Sequence, residues 1–444
     1  MRILQAFLLV LLFCLPAAMP AMAADGDAVA TATRLLDHME AGEYEAASAD
    51  FSGQMKAGLG VDQLAAVQQQ IASAGAQTGR DEPKVSEQSG MTVVVIRIHR
   101  ELASVDATIA IDGDGKVAGL HYAPAAAPAS EAPTVDADAG FDESDLSIGD
   151  DERALPGTLA MPRGADADNP VPGVVLVHGS GPHDRDETIG PNRPFLDIAR
   201  GLAAQGIAVL RYDKRSKARP QDYANGDITI DSETTDDAVA AVEALRKVPG
   251  VDPARVFVLG HSQGAMMAPR IAAESGHVAG LVLLAAPARP LLDILVEQNI
   301  RLAVLDDGKT SDEEAAAIAR LKGQVAAVRA GGDVAAADAP LQQPATYWRS
   351  TDAVDPVAEA KAVALPMLVL QGAQDFQVVD ADWQQWRAGF HDDPKVEFKL
   401  YPTLNHLGIA VGDEQGPAQY AQPGHVDPAL ITDVAGWIQA QGAD

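Results

Sequence analysis

The chain holds one cysteine in 444 residues, Cys14, and it lies in the apolar run at the N-terminus. Without that run no thiol is left, which excludes a disulfide framework and a cysteine nucleophile. Positive charge is also scarce: 33 Lys and Arg stand against 63 Asp and Glu, for a formal net charge of -30. Nucleic acid and anionic membrane surfaces would repel such a chain over a Debye length or more, so neither is expected as a partner. The apolar run from Ile3 to Leu15 is too short to span a bilayer comfortably. The histidines and acids show no metal-ligand spacing of the His-x-x-x-His kind, which speaks against a metal-dependent hydrolase.

What is present at the N-terminus is Arg2, the apolar run, Pro16 and Pro20, then Ala21-Met22-Ala23. This pattern predicts a Sec-type signal peptide over residues 1–23, cleaved after Ala23, and a periplasmic or secreted protein with no stable membrane anchor after cleavage. Phe13 before Cys14 does not fit a lipoprotein cleavage site. The length allows two domains.

Residues 24–122 read as a small α+β domain, helices first and strands afterwards. Val29, Ala32, Leu36 and Met39 recur at helical spacing, as do Leu64, Val67 and Ile71. Alternation then takes over in Val94, Ile96 and Ile98 and in Val105, Ala107, Ile109 and Ile111, with Asp112-Gly113-Asp114-Gly115 as a hairpin turn. That turn lacks the later ligands of a calcium loop. His99 and His121 have no catalytic partners at suggestive spacing and are expected to be structural or surface residues. Residues 123–142 turn to Ala, Pro, Ser, Glu and Asp, a composition that buries too little apolar surface to order itself and reads as a linker.

From 143 to 444 strands and helices alternate, the sign of a mostly parallel α/β sheet. Between about 287 and 362 the strand signal gives way to helical segments. They are expected to cap the strand ends, the alternative being a helical layer packed elsewhere on the core. Within this alternation Val256 to Leu259 runs into Gly260-His261-Ser262-Gln263-Gly264, a Gly-x-Ser-x-Gly turn with a strand before it and a helix-compatible segment after it.

A serine hydroxyl is a weak nucleophile until a base takes its proton, and that base needs an orienting carboxylate. In such a strand order the acid follows a late strand and the histidine the last one. Asp375 follows the apolar run Met367 to Leu370, and His406 follows Val396 to Leu400. Asp380 and Asp382 stand nearby as surface carboxylates or alternative acids, His391 reads as solvated in its turn, and His425 lies in a Gly/Pro-containing approach to the last helix. For the developing oxyanion the candidate backbone donors are the N–H groups of Gln263, at the helix start, and Ser180, in the turn His178-Gly179-Ser180-Gly181. His183, Arg185, Asp186 and Glu187 continue that turn, either toward a substrate's polar end or as a local salt-bridge cluster.

These residues resemble the α/β-hydrolase superfamily over roughly Leu155 to the C-terminus. The runs from His178 through Arg185-Asp186-Glu187 and Gly190-Pro191-Asn192 to Leu210-Arg211-Tyr212-Asp213-Lys214-Arg215 look like secreted bacterial serine esterases of the dienelactone-hydrolase and serine-aminopeptidase-like branches. The resemblance implies an α/β-hydrolase fold and acyl-enzyme hydrolysis of a small acyl substrate, usually a carboxylic ester, without a cofactor or metal. A peptidase, thioesterase or acyltransferase could use the same triad, and a silent hydrolase scaffold serving as a binding or sensing protein is the alternative of another class. Ala265 and Pro269 depart from the usual pattern, and Pro269 is expected to disturb the early turns of the nucleophile helix. Some members carry a small N-terminal α+β domain of unassigned role.

Overall fold

The computed structural model describes residues 25–442 apart from 73–74, 89, 101–103, 125–133, 137, 150, 306–307, 413 and 415. The expected signal peptide and the middle of the expected linker lie outside the described residues. The chain divides into two compact units, Met1–Pro128 and Ala129–Asp444.

In the first unit α1 (Asp25–Ala41), α2 (Tyr44–Ala47), α3 (Gly53–Gly58) and α4 (Val61–Ala72) precede the strands β1 (Gln77–Arg80), β2 (Lys84–Gln88), β3 (Met91–Arg100), β4 (Ser104–Ile111) and β5 (Val117–Pro124). The sheet is antiparallel in the order β1-β3-β4-β5, with β2 also on β3. Ala32, Leu36 and Met39 of α1, Leu64 and Ile71 of α4, and the alternating apolar residues of β3 and β4 bury one another in a single core. Asp112 Oδ1 accepts the N–H groups of Asp114 and Lys116, which closes the β4–β5 hairpin. His99 sits between Ser104 and Asp81 at the surface, and burial pushes the half-buried His121 below the usual histidine value.

The second unit opens with β6 (Phe141–Asp145) and β7 (Gly157–Pro162), an antiparallel pair. β6 begins inside the segment expected as linker. Phe141 is its one buried apolar residue, and its acids act through ion pairs instead, Glu143 holding Arg200 and Arg211 at 2.7 Å each. A strand fastened by charge rather than by an apolar face leaves little hydrophobic pattern to read.

Then follow β8 (Val171–Val177), α5 (Pro194–Ala203), β9 (Ala208–Tyr212), α6 (Arg215–Ala218), α7 (Asp236–Arg246), β10 (Val251–His261), α8 (Gln263–Ser275) and β11 (Leu281–Leu284). After them come the helices α9 (Leu291–Leu302), α10 (Asp312–Ala330), α11 (Ala345–Asp352) and α12 (Pro356–Val363). The fold closes with β12 (Met367–Gly372), α13 (Asp380–Phe390), β13 (Val396–Tyr401) and α14 (Pro428–Ala440). The sheet order is β13-β12-β11-β10-β8-β9-β7-β6, parallel from β13 to β9. Val256, Val258, Leu281 and Leu283 face α7, α8, α12 and α13, while Phe257, Leu259, Val282 and Leu284 face α5 and α14. Burial on both faces explains why these strands read as continuous apolar runs. This is the α/β-hydrolase fold, with a separate α+β unit before it.

The helical insertion serves two ends. α12 joins the layer beside α8, where Arg270 Nε donates to Glu359 at 3.2 Å. α9 and α11 instead reach the carboxyl ends of the strands: Gln298 Nε2 of α9 donates to the Gln377 carbonyl at 3.1 Å, and Tyr347 Oη of α11 donates to Gln263 Oε1 at 3.0 Å. The helix α8 runs unbroken through Pro269, contrary to expectation. Every residue from Gln263 to Pro269 is buried, so packing on all sides holds the turns that the missing N–H would loosen.

Two glycine substitutions should move stability in opposite directions. A Cβ at Gly264 would lie 2.1 Å from the Val177 carbonyl oxygen, whereas one at Gly436, on the exposed side of α14, meets nothing within 4 Å. Gly264→Ala is expected to cost about 2–3 kcal/mol or more, and Gly436→Ala to add about 0.5–1 kcal/mol, read from urea unfolding midpoints.

Candidate active site

The strand β10 delivers Ser262 at the head of α8 in a left-handed conformation, φ 52° and ψ -119°. For a residue with a side chain this conformation is strained by about 1–3 kcal/mol. The surroundings enforce it. A Cβ at Gly260 would lie 2.3 Å from the Gly264 carbonyl oxygen, so strand and helix meet at a distance that only glycines allow.

Asp375 follows β12 and His406 follows β13, and the structure joins them: His406 Nδ1 lies 2.7 Å from Asp375 Oδ2, both side chains buried. The carboxylate is held on every side. Its Oδ1 accepts the N–H groups of Gln377 and Val378 at 2.8 and 3.0 Å, and its Oδ2 also accepts Gln371 Nε2 at 3.1 Å. A proton on Nδ1 of His406 leaves Nε2 as the basic nitrogen. The loop that carries His406 is set by Asn405, whose Oδ1 accepts the N–H groups of Leu407 and Ile409 at 2.9 and 3.1 Å. His261, the residue before Ser262, donates through Nε2 to the His406 carbonyl at 2.9 Å, with the two rings 4.7 Å apart. Elbow and histidine loop are thereby pinned together.

The alternatives from the sequence are otherwise engaged. Asp382 accepts the N–H groups of Ala288 and Arg289 together with the Arg289 guanidinium. Asp380 accepts Gln384, and His391 and His425 pair at the surface with Asp392 and Asp197.

Gln263 occupies the first position of α8, where a backbone N–H has no acceptor within the helix. Ser180 follows Gly179, whose Cβ, if it had one, would stand 3.3 Å from Ser262 Cβ. The polar residues after it prove to be a salt-bridge cluster. Arg185 pairs bidentately with Asp213 at 3.0 Å, Asp186 lies 3.3 Å from Arg211, and His183 donates to the Ser180 carbonyl.

Glu187 goes further inward. Its Oε1 accepts the Gly179 N–H at 2.6 Å, and its Oε2 lies 2.9 Å from His261 Nδ1 in full burial. Burial alone would raise the Glu187 carboxyl, but the adjacent His261 charge outweighs it and holds the group down at about 2. On His261 burial opposes the charge, and Glu187 overcomes it, raising the imidazole above its usual value. His178 has no such partner and is pushed down to about 3 by burial, so it stays neutral and donates through Nε2 to the Asp184 carbonyl.

Residues 168–409 match the serine aminopeptidase S33 family, and residues 32–120 match a family described as a protein of unknown function, DUF3887. The esterase EstD of Thermotoga maritima is 36% identical over 334 residues, covering 75% of this chain and 76% of the relative. The chain belongs to the serine aminopeptidase S33 family of α/β hydrolases. It is a hydrolase. More loosely similar in structure are the Pyrococcus furiosus esterase Pf2001 and Est1E from Butyrivibrio proteoclasticus. Both are 17% identical, with TM-scores of 0.46 and 0.44, covering 72% and 68% of this chain and 97% and 99% of theirs.

The roles of Gln371, Asn405 and Glu187 in holding this family site were not foreseen. Gln371 sits near the end of the apolar strand β12, Asn405 beside the histidine, and Glu187 in a run of charges that reads as a solvated face.

The Glu187–His261 pair makes stability depend on pH. The depressed Glu187 contributes above the ordinary glutamate value of 4.5, and that contribution is lost as pH falls through about 2. The raised His261 contributes fully below the ordinary 6.5, and its share is lost as pH rises through its raised value. Glu187→Gln is therefore expected to lower the melting temperature most at about pH 5–6, the gap from wild type narrowing toward about pH 9. Thermal unfolding across that range checks it, and a gap independent of pH would mean the pair is not ionic.

Proposed function

We propose that the protein is an exported serine carboxylesterase acting through an acyl-enzyme. The observation that carries this reading is the strained, turn-exposed Ser262 at the head of α8, whose preceding residue His261 is bonded to the loop that holds the 2.7 Å His406–Asp375 hydrogen bond. Ser262 Oγ attacks the ester carbonyl carbon while His406 Nε2 takes its proton, and Asp375 steadies the imidazolium that results. The N–H groups of Gln263 and Ser180 receive the oxyanion. Collapse breaks the bond to the alcohol, which leaves with the proton from His406. Water then adds to the acyl-enzyme by the same base and frees the acid and the serine.

The ester preference draws on EstD, an esterase by name that is 36% identical over 334 residues. Export draws on the residue pattern of Arg2, the apolar run and Ala21-Met22-Ala23. The family's aminopeptidase description makes an amide bond the competing substrate.

Purified protein would be assayed on short p-nitrophenyl esters, aminoacyl p-nitroanilides and acyl thioesters. Ester cleavage is expected to dominate, and Ser262→Ala to lower kcat by about 10⁴-fold or more. Faster cleavage of the anilides would replace the esterase reading with a peptidase, and no effect of Ser262→Ala on any substrate would remove the serine mechanism.

A further inference from the structure

The carbonyl of Gly179 is held as tightly as its N–H. Lys214 Nζ, fully buried, donates to the Gly179 oxygen at 2.7 Å and lies 2.9 Å from Glu233 Oε1. Ser216 Oγ donates to the same carboxylate oxygen at 2.9 Å. The other oxygen, Oε2, accepts Thr234 Oγ1 at 2.9 Å and Gln263 Nε2 at 3.1 Å. Gln263 Oε1 is closed off by Tyr347 Oη at 3.0 Å. A lysine and a glutamate without access to water are expensive, and a buried pair is weak evidence for stability by itself. What this pair touches is specific: the Gly179–Ser180 peptide on one side and the side chain of Gln263 on the other.

A trans peptide points its C=O and N–H to opposite sides, and there is no cis peptide among the described residues. A cation fastened to the Gly179 oxygen therefore sets the direction of the Ser180 N–H and polarises the amide, making that N–H a stronger donor. The Gly179 N–H, in the preceding peptide, is anchored separately by Glu187 at 2.6 Å, and the Ser180 carbonyl, in the following one, accepts His183 Nε2, so both flanks of the peptide are held. Glu233 links this peptide to Gln263, whose own N–H is the second donor.

We propose that Lys214 and Glu233 are positioning residues for the oxyanion donors, coupling the Ser180 and Gln263 amides through one buried ion pair. This rests on the Ser262 acyl-transfer reading. Neither side chain touches the substrate. Their effect falls on the step that builds negative charge on oxygen and leaves ground-state binding alone.

The test uses the full chain and a fluorophosphonate, whose rate of reaction with Ser262 reports the oxyanion donors without knowledge of the natural substrate. Lys214→Met with Glu233→Gln removes both charges together, so no buried charge is left alone. This double variant is expected to melt near wild type, to be phosphonylated about 10²-fold more slowly, and to lose kcat on a p-nitrophenyl ester by a similar factor, with KM changed less than about 3-fold. Glu233→Gln alone keeps shape and Lys214 and is expected to lose about 10-fold in kcat at constant KM. Should the double variant not fold, the single one decides. Wild-type labelling and kcat in a folded variant would overturn the proposal, as would a loss confined to KM. An unlabelled wild-type Ser262 would instead remove the serine reading itself.

Discussion

The constraint on which the second unit depends is the approach of α8 to the end of β8. A Cβ at Gly264 would stand 2.1 Å from the Val177 oxygen and 2.6 Å from that of His178. With no side chain there, the first turn of α8 presses on the backbone that leads into Gly179 and Ser180. The strain at Ser262 is a consequence of that contact, because a helix seated so close must leave β10 through a turn too sharp for relaxed φ and ψ. One contact thus sets both where the serine stands and how near the loop after β8 lies to it.

Around this contact the protein spends buried charge. Glu187, His261, Lys214 and Glu233 are all nearly free of solvent. Apolar side chains of the same volume would in many proteins be as stable or more so. Hydrophobic packing is non-directional, however, and cannot fix the orientation of a peptide plane. Each of these charges ends on a backbone group or side chain beside Ser262: Glu187 on the Gly179 N–H, Lys214 on the Gly179 carbonyl, His261 on the His406 carbonyl, Glu233 on Gln263. The arrangement exchanges stability for direction, fixing the backbone groups around Ser262 where apolar packing alone would not.

The fold was legible where burial on two faces imposed a continuous apolar run, as in β8, β10 and β12, and where the Gly-x-Ser-x-Gly turn forced a strand to meet a helix. The meeting of Asp375 with His406 was legible from strand ends alone. β6 was not, because charge secures it and its apolar periodicity is lost. Nor was the division of the insertion into a layer helix and cap helices, since the same Leu, Val and Ala residues serve either purpose. The supporting shell was hidden for a different reason. Lys214 and Glu187 sit in runs of charge that resemble a solvated face, and only the folded backbone shows that Gly179 lies between them.

The position of the insertion follows from strand order. It leaves the sheet after β11 and returns at β12, and β11 lies directly between β10, which carries Ser262, and β12, which leads to Asp375. Helices that emerge at this point reach the acid loop and the head of α8 together without entering the sheet. Gln298 and Arg301 of α9 donate to the carbonyls of Gln377 and Phe376, while Tyr347 of α11 meets Gln263. None of these contacts is made to Ser262, Asp375 or His406 themselves. The exposed parts of α9 and α10 can accordingly vary in sequence without altering the hydrogen bonds of Asp375 and His406, whereas a change at Tyr347 would be felt through Gln263 at the first turn of α8.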